Sequence, residues 1–465
     1  MIRIYCDSNV YRLLKPSSNQ YNQIVFDYFQ NIKQNAVMAF SEAHLDDLRT
    51  SVEAYRNEDL ELMEKYTDNF FIQYNQISKE WDCLLATPQE AYNSQNYVAY
   101  DKALTSPFDF RNLIVDLGDF PGKEQICEIM DTFLQTPLAT LGHADMSMVS
   151  DDRNKLLMDR MVPGYNSDIT IGAFMQNMQP YLSKLLRDWR EMDELRGHVT
   201  SYLNTEDYNY KNWGLAFNEQ LEKTTVGKKF TEILRLMSSS NDKQDYWLQF
   251  QYAYSMLEMF GITEERAGNK RKRNNLMDLS KDCVHAFNAM SCDYFITNDK
   301  GLLVKSQILY HIFQVANTQI VKVDELDQFE LAKPFDGSIA NLIPYLRSLD
   351  NLVTEDENFL YYKIVDKFLH FFDMVATPKE TINTYILYSS KDEGRNYMYK
   401  EILFVCNKIV ALLNPKGFND QIVSIEEISK PSPNVYLRVW HFRDATVALA
   451  CEGEKSAFQL KIILR

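Results

Sequence analysis

The apolar and polar positions fall into three stretches with different periodicities. At the start, Ile2, Ile4 and Cys6 alternate with Arg3 and Tyr5, and Asp7-Ser8-Asn9 follows as a helix-capping cluster. That pattern predicts a short buried strand running into a helix, with Asp7 at the strand's carboxyl end. Residues 17–33 carry Ile24, Val25, Tyr28 and Phe29 on one helical face, and 36–40 read as a second apolar strand. Ser41 then caps SEAHLDDL, whose early carboxylates suit a helix amino terminus. Strand, helix, strand, helix is the opening of an α/β sheet.

Between about 50 and 265 the chain changes to long polar and aromatic segments with helical spacing, at 53–79, 123–136, 169–193 and 242–260. This block is expected to be all-helical. The first pattern then returns, with a helix at 278–291, a strand at 294–297, a helix at 300–313 and a strand at 319–323. A single sheet domain split by a large insertion accounts for both halves, because loop-closure entropy grows only logarithmically with loop length. Pro334 and Gly337 mark a boundary. Beyond it, 339–376 read as two helices, 385–388 as a strand, and 394–413 as an amphipathic helix with Met398, Ile402, Val405, Ile409 and Leu412 in register. Strands are expected at 421–428, 434–442, 445–452 and 457–465. The predicted organisation is an α/β domain in two halves, 1–50 and 266–333, a helical insertion at 51–265, and a carboxyl-terminal α+β domain with an antiparallel meander at 334–465.

A chain of 465 residues can bury more than one core, and 15 Gly and 13 Pro are too few for linker-rich or disordered material. The net charge of −16 makes the average surface repel polyanions and membranes, so any nucleic acid must use a local basic patch. The run Lys270-Arg271-Lys272-Arg273 supplies one, and its four cations would make binding steeply salt-dependent. Seven scattered cysteines without a C-x-x-C pair argue against a disulfide framework and a thiolate zinc site. Neither a signal-length apolar run near the start nor a stretch of about 18 apolar residues is present, so a cytoplasmic, unanchored protein is expected. Phosphate-cradling glycine loops and H-E-x-x-H are absent.

Four acidic positions fall where a split parallel sheet would bring them together. Asp7 ends the first strand, Asp47 lies on the helix after the second beside Asp46 and Glu42, Asp282 lies on the helix before the third, and Asp299 follows the third. Asp278 competes with Asp282 one helical turn away. Clustered carboxylates repel unless a cation neutralises them, and hard oxygen ligands select Mg²⁺ or Mn²⁺. Such a site points to metal-assisted phosphodiester hydrolysis.

The segments IRIYCDSNV (2–10), VMAFSEAHLDDL (37–48), DCVHAFNAMSCDYFITND (282–299) and IVKVDEL (320–326) occur in the order found in the PIN-domain nucleases, which the chain resembles over about a quarter of its length. The resemblance implies a three-layer α/β/α domain and a metal site made by Asp7, Asp282 and Asp299 with Asp47. The offset from Ser41 favours Asp47 over Asp46 and Glu42, and the D-x-x-H spacing favours Asp282. Ser8, Asn9, Thr297 and Asn298 would orient ligands or phosphate, with His285 and His44 as orienting donors and Cys6 and Cys292 as packing neighbours. The implied activity is an endoribonuclease with RNA as the partner, and a regulated toxin-like or defence role would extend that reading. The insertion and the last domain would select substrate, bind a protein partner or build a homo-oligomer. The rival expectations are an inactive nucleic-acid-binding or scaffold protein and a metal-dependent phosphatase or nucleotide hydrolase.

Overall fold

The computed structural model describes residues 2–33, 36–95, 123–137, 152–166, 168–201, 213–224, 226–237, 245–262, 275–329, 339–369, 371–381, 383–390, 399–413, 422–429, 435–452 and 457–465. Strands β1 (Ile2–Cys6), β2 (Ala36–Ser41), β3 (Phe70–Asn75), β4 (Glu80–Leu85), β5 (Tyr294–Thr297) and β6 (Gln319–Lys322) form one sheet of order β4-β3-β2-β1-β5-β6. β1 lies parallel to β2, with Ile4 opposite Met38, and parallel to β5, with Ile4 opposite Tyr294. β2 with β3 and β5 with β6 are also parallel, whereas β4 runs antiparallel at the edge. The chain moves outward from β1 through β2 and β3, then returns to its other side through β5 and β6. The topological switch therefore falls between β1 and β5, where a parallel sheet opens a crevice beyond its carboxyl ends.

Every residue of β1 is buried, as a central parallel strand requires when helices cover both faces. On one face Ile4 and Cys6 pack with Val10 and Leu14 of α1 (Ser8–Leu14), Val25 and Phe29 of α2 (Gln23–Ile32), Leu45 of α3 (Glu42–Leu48) and Leu60 of α4 (Glu53–Thr67). On the other, Tyr5 belongs to a core built with later helices. The later helices are α5 (Pro88–Ser94), whose Ala91 packs on the first face, α6 (Lys123–Gln135), α7 (Asp152–Met161), α8 (Ile171–Arg187), α9 (Trp189–Thr200), α10 (Phe217–Glu222), α11 (Phe230–Met237), α12 (Tyr246–Met259), α13 (Leu276–Ala289) and α14 (Lys300–Ile312), and α12, α13 and α14 supply the largest helical share of the Tyr5 core. Phe287 of α13 is the hub, with ring centroids of Trp247, Tyr74, Trp81, Phe250 and Tyr246 at 4.7, 4.9, 5.1, 5.3 and 5.9 Å. A buried aromatic in such a cage is worth about 3–5 kcal/mol against alanine, so it fastens the insertion to the sheet domain.

The third region holds α15 (Ile339–Arg347), β7 (Leu352–Glu355), β8 (Phe359–Phe368), β9 (Phe372–Pro378), β10 (Thr384–Tyr388), α16 (Tyr399–Leu413), α17 (Ile425–Ser429), β11 (Val435–His441), β12 (Ala445–Glu452) and β13 (Ala457–Leu464). Its strands make an all-antiparallel sheet of order β11-β12-β13-β10-β9-β8-β7. Ile402, Val405, Ile409 and Val410 of α16 pack against Leu387, Val447, Leu460 and Ile462 of that sheet. Arg3 of β1 reaches this region, because its Nε donates to Glu401 Oε2 of α16 at 2.6 Å with both side chains buried.

The mixed α/β architecture with a second antiparallel unit agrees with expectation, but three elements differ. The block after residue 50 is not all-helical: β3 and β4 form a hairpin that widens the sheet. FFIQYN carries aromatics at a spacing that suits helix and strand alike, and the left-handed Lys79, φ 61°, makes the turn. The helical reading of 339–376 holds only for α15, since β7, β8 and β9 replace the second helix and Leu369, φ 55°, reverses the chain. The strand expected at 421–428 is replaced by α17. Among the described residues no helix is long and apolar enough to cross a membrane.

Leaving Arg3 buried without its carboxylate should be far costlier than replacing both partners. Glu401→Ala is expected to lose about 3–5 kcal/mol in urea unfolding, whereas the Arg3→Met, Glu401→Leu pair recovers most of it. Equal losses in the single and double variants would contradict this coupling.

Candidate functional site

Three strands of the sheet end in residues that cap the next helix, and this places their side chains at the crevice. Asp7 caps α1, its Oδ1 accepting the Val10 N–H at 3.1 Å. Ser41 caps α3 in a reciprocal box with His44, and Asp299 caps α14 by accepting the Leu302 N–H at 3.0 Å. Helix amino termini favour carboxylates, so these acids hold the local structure whatever else they do.

Asp7 and Asp299 meet through Thr297. The Thr297 hydroxyl donates to Asp7 Oδ2 and accepts the Asp299 N–H at 3.0 Å. Asp7 is 2% exposed, and burial raises its pKa against the opposing pull of Thr297 and His285, with Asp299 adding repulsion.

His285 of α13 stands at the centre of the acids. Its Nε2 donates to Asp47 Oδ2 at 3.2 Å and lies 3.4 Å from Ser8 Oγ, while its Nδ1 lies 2.9 Å from the Tyr5 hydroxyl. Burial alone would lower its pKa, yet the hydrogen bond to Asp47 and the charges of Asp47, Asp7 and Asp282 raise it. Burial would likewise raise Asp47, but His285, Ser8 and Lys281 hold it well below the carboxylate range. Lys281 Nζ lies 3.4 Å from Asp47 Oδ1, so both oxygens of Asp47 are engaged. Ser8 and Asp47 address the same ring nitrogen, which excludes a serine–histidine–aspartate relay in this arrangement.

The Tyr5 hydroxyl continues inward to Ser41 Oγ at 2.6 Å. His44 accepts the Ser41 N–H at Nδ1, 3.1 Å, so its proton sits on Nε2 and is donated to the Cys6 carbonyl at 2.7 Å. Burial, aided by the neighbouring His285 charge, lowers its pKa to about 3, and His44 stays neutral. It braces β1 against α3 at the end of the strand that carries Asp7.

The remaining sequence candidates sort by contact. Asp278 closes a capping box with Asn275, accepting that N–H at 3.3 Å, which leaves Asp282 as the acid of α13 that acts on His285. Asn9 accepts from Arg12 at 3.2 Å on the α1 surface, and Asn298 is exposed between Thr297 and Asp299. Cys6 and Cys292 are buried thiols in the cores on either side of the sheet. The basic run Lys270-Arg271-Lys272-Arg273 lies outside the described residues. Tyr5 and Lys281 were not singled out by sequence reasoning. Strand alternation marks Tyr5 as buried but gives no sign of its hydroxyl contacts, and Lys281 is visible only as the neighbour of Asp282.

Glu42 is set apart from Asp47. Its Oε1 accepts from Asn288 Nδ2 at 3.2 Å, while its Oε2 and the Asn288 Oδ1 are buried without hydrogen-bond partners. Burial lifts its pKa to about 6.

Asp7, Asp47 and Asp282 thus act on His285, Asp47 also pairs with Lys281, and Asp299 adds repulsion at Asp7. Among the described residues, no three His, Cys, Asp or Glu stand together as a group that could hold a metal ion. No family model, curated protein or solved structure matches the chain.

Because its folded pKa lies above the unfolded value of 4.5, Glu42 supports the fold below pH 4.5 and withdraws that support as pH rises through about 6. Glu42→Gln should therefore be more stable than wild type by up to about 2 kcal/mol at pH 8, with the advantage vanishing near pH 4.5. Urea unfolding at the two pH values checks this, and an advantage independent of pH would contradict it.

Proposed function

We propose that the crevice is the active site of a metal-dependent nuclease, an endoribonuclease of the PIN type acting on RNA. The observation that supports the reading is that Asp7, Asp47 and Asp282, from opposite parts of the chain, act on His285 and that Thr297 links Asp7 to the Asp299 N–H, at the switch point of a parallel sheet.

Asp7, Asp282 and Asp299 would hold Mg²⁺ or Mn²⁺. When bound, such an ion polarises a phosphodiester oxygen and lowers the pKa of a coordinated water. Thr297 fixes one oxygen of Asp7, so that carboxylate can turn little as the cation arrives. Asp47 is assigned to the His285 ring, whose proton it holds at Nε2 beside Ser8. Protonated His285 and Lys281 place positive charge next to a carboxylate cluster that would otherwise repel a phosphate. Lys270-Arg271-Lys272-Arg273 would add contacts to the nucleic-acid backbone, and the insertion and antiparallel domain would choose the substrate or bind a partner.

A second reading is favoured by one observation: His285 and Lys281 already occupy Asp47. Under it, the protein keeps the fold and binds nucleic acid without cutting. Labelled single-stranded and structured RNA distinguishes the two. Wild type is expected to cleave with Mn²⁺ and not with EDTA. Asp299→Asn should lower the rate at least about 100-fold, since even groups that merely support metal ligands are worth about 10–100-fold. Asn is also a good helix cap, so folding should persist. Cleavage that survives chelation or Asp299→Asn would overturn the assignment, binding without cleavage would favour the second reading, and turnover of mononucleotides alone would indicate a phosphatase.

A further inference from the structure

Three polar pairs cross the contact between α3 and α13. Lys281, His285 and Asn288 follow at i, i+4 and i+7 along one face of α13, where the first two meet Asp47 and the third meets Glu42 of α3. The two pairs at Asp47 belong to the crevice. Glu42 and Asn288 lie at the other end of the same helix contact, joined by one hydrogen bond in which Asn288 Nδ2 donates to Glu42 Oε1 at 3.2 Å.

The other two oxygens of this pair, Glu42 Oε2 and Asn288 Oδ1, are buried and have no partner. Buried polar atoms are normally satisfied, and a carboxylate and an amide carbonyl cannot satisfy one another because both only accept. One proton on Oε2 removes the difficulty. The carboxylic acid then donates to Asn288 Oδ1 while Oε1 keeps the amide N–H, so a single O–H serves both atoms. Burial favours that form: it lifts the Glu42 pKa to about 6, and Asp46 adds repulsion, against the helix N–H, Asn288 and the charge of His285. Tyr5 of β1 senses the Glu42 charge but stays neutral, because burial holds its pKa well above the usual range. β2 brings no ionisable side chain to α3. On α5, which also packs there, Glu90 caps its own helix and Tyr92 lies under Arg56 at 4.9 Å.

We propose that Glu42 and Asn288 form a proton-operated clasp, in which protonated Glu42 closes a second hydrogen bond to Asn288 and holds α3 on α13. Asp47 rides on α3 and its partners His285 and Lys281 on α13, so the clasp makes Glu42 a positioning residue for Asp47. The clasp stands on the helix contact alone, whereas its effect on cleavage rests on the metal-dependent reading above. Since the folded pKa exceeds the unfolded 4.5, the clasp acts fully below pH 4.5 and is lost as pH rises through about 6.

Hydrogen exchange of the α3 amides in the full chain, corrected for intrinsic rates at each pH, tests this with two variants. Glu42→Gln fixes the closed form, because its amide donates to Asn288 Oδ1 at every pH while its oxygen accepts. Glu42→Leu removes the buried charge together with both hydrogen bonds. Protection of α3 in Glu42→Gln relative to wild type should grow at least about 10-fold between pH 4.5 and pH 8, and Glu42→Leu should stay less protected than Glu42→Gln at both. A ratio that does not change with pH overturns the proton's role. Equal protection in the two variants overturns the hydrogen-bonded clasp and leaves only the cost of a buried charge. In the Mn²⁺-dependent RNA assay the rate of Glu42→Gln relative to wild type should likewise rise with pH, and a flat ratio overturns the positioning of Asp47. Wild type that does not cleave overturns the metal reading, while the exchange result still decides the clasp.

Discussion

The parallel pairing of β1 with β5 is the constraint on which the rest of the molecule depends. It joins segments 290 positions apart, through the Asp7 N–H on the Ile296 carbonyl at 3.0 Å and the Thr297 hydroxyl on Asp7. Non-local pairing of this kind costs loop-closure entropy, which the insertion must recover through its own packing. The aromatic cage around Phe287 and the Arg196–Glu258–Lys305 network supply that packing. The two parts of the chain are mutually dependent: the sheet anchors the insertion, and the insertion backs the helices that carry Asp282 and Asp299.

Charge is managed by the same geometry. Repulsion among the four acids would strain the crevice if nothing opposed it. His285 and Lys281 oppose it from within the chain, and the capping N–H groups of α1 and α14 share the remainder. Inward from the site, Tyr5, Ser41 and His44 tie β1 and α3 together, so the orientation of His285 is coupled to the central strand.

Much of the sheet was legible in the sequence because its central strands are short, wholly apolar and bounded by capping residues. β5 runs over 294–297 as expected, and β1, β2 and β6 fall within a residue or so of their predicted limits. What stayed hidden was decided by tertiary pairing. FFIQYN and the stretch around FLHFF carry aromatics at spacings that fit either period, and only their partners in the two sheets select the strand. The capping positions of Asp7 and Asp299 were legible because strand ends and helix caps announce themselves. The engagement of Asp47 by Lys281 and the isolation of Glu42 with Asn288 depend on how α3 meets α13, which no local pattern encodes.

Crystals soaked in Mn²⁺ and measured for anomalous scattering test the shared cation most directly. One strong peak is expected in the crevice beyond β1 and β5, bonded to carboxylate oxygens from Asp7 and from Asp282 or Asp299. A crevice without a peak at millimolar Mn²⁺, or a peak bound only through groups elsewhere on the chain, would contradict it.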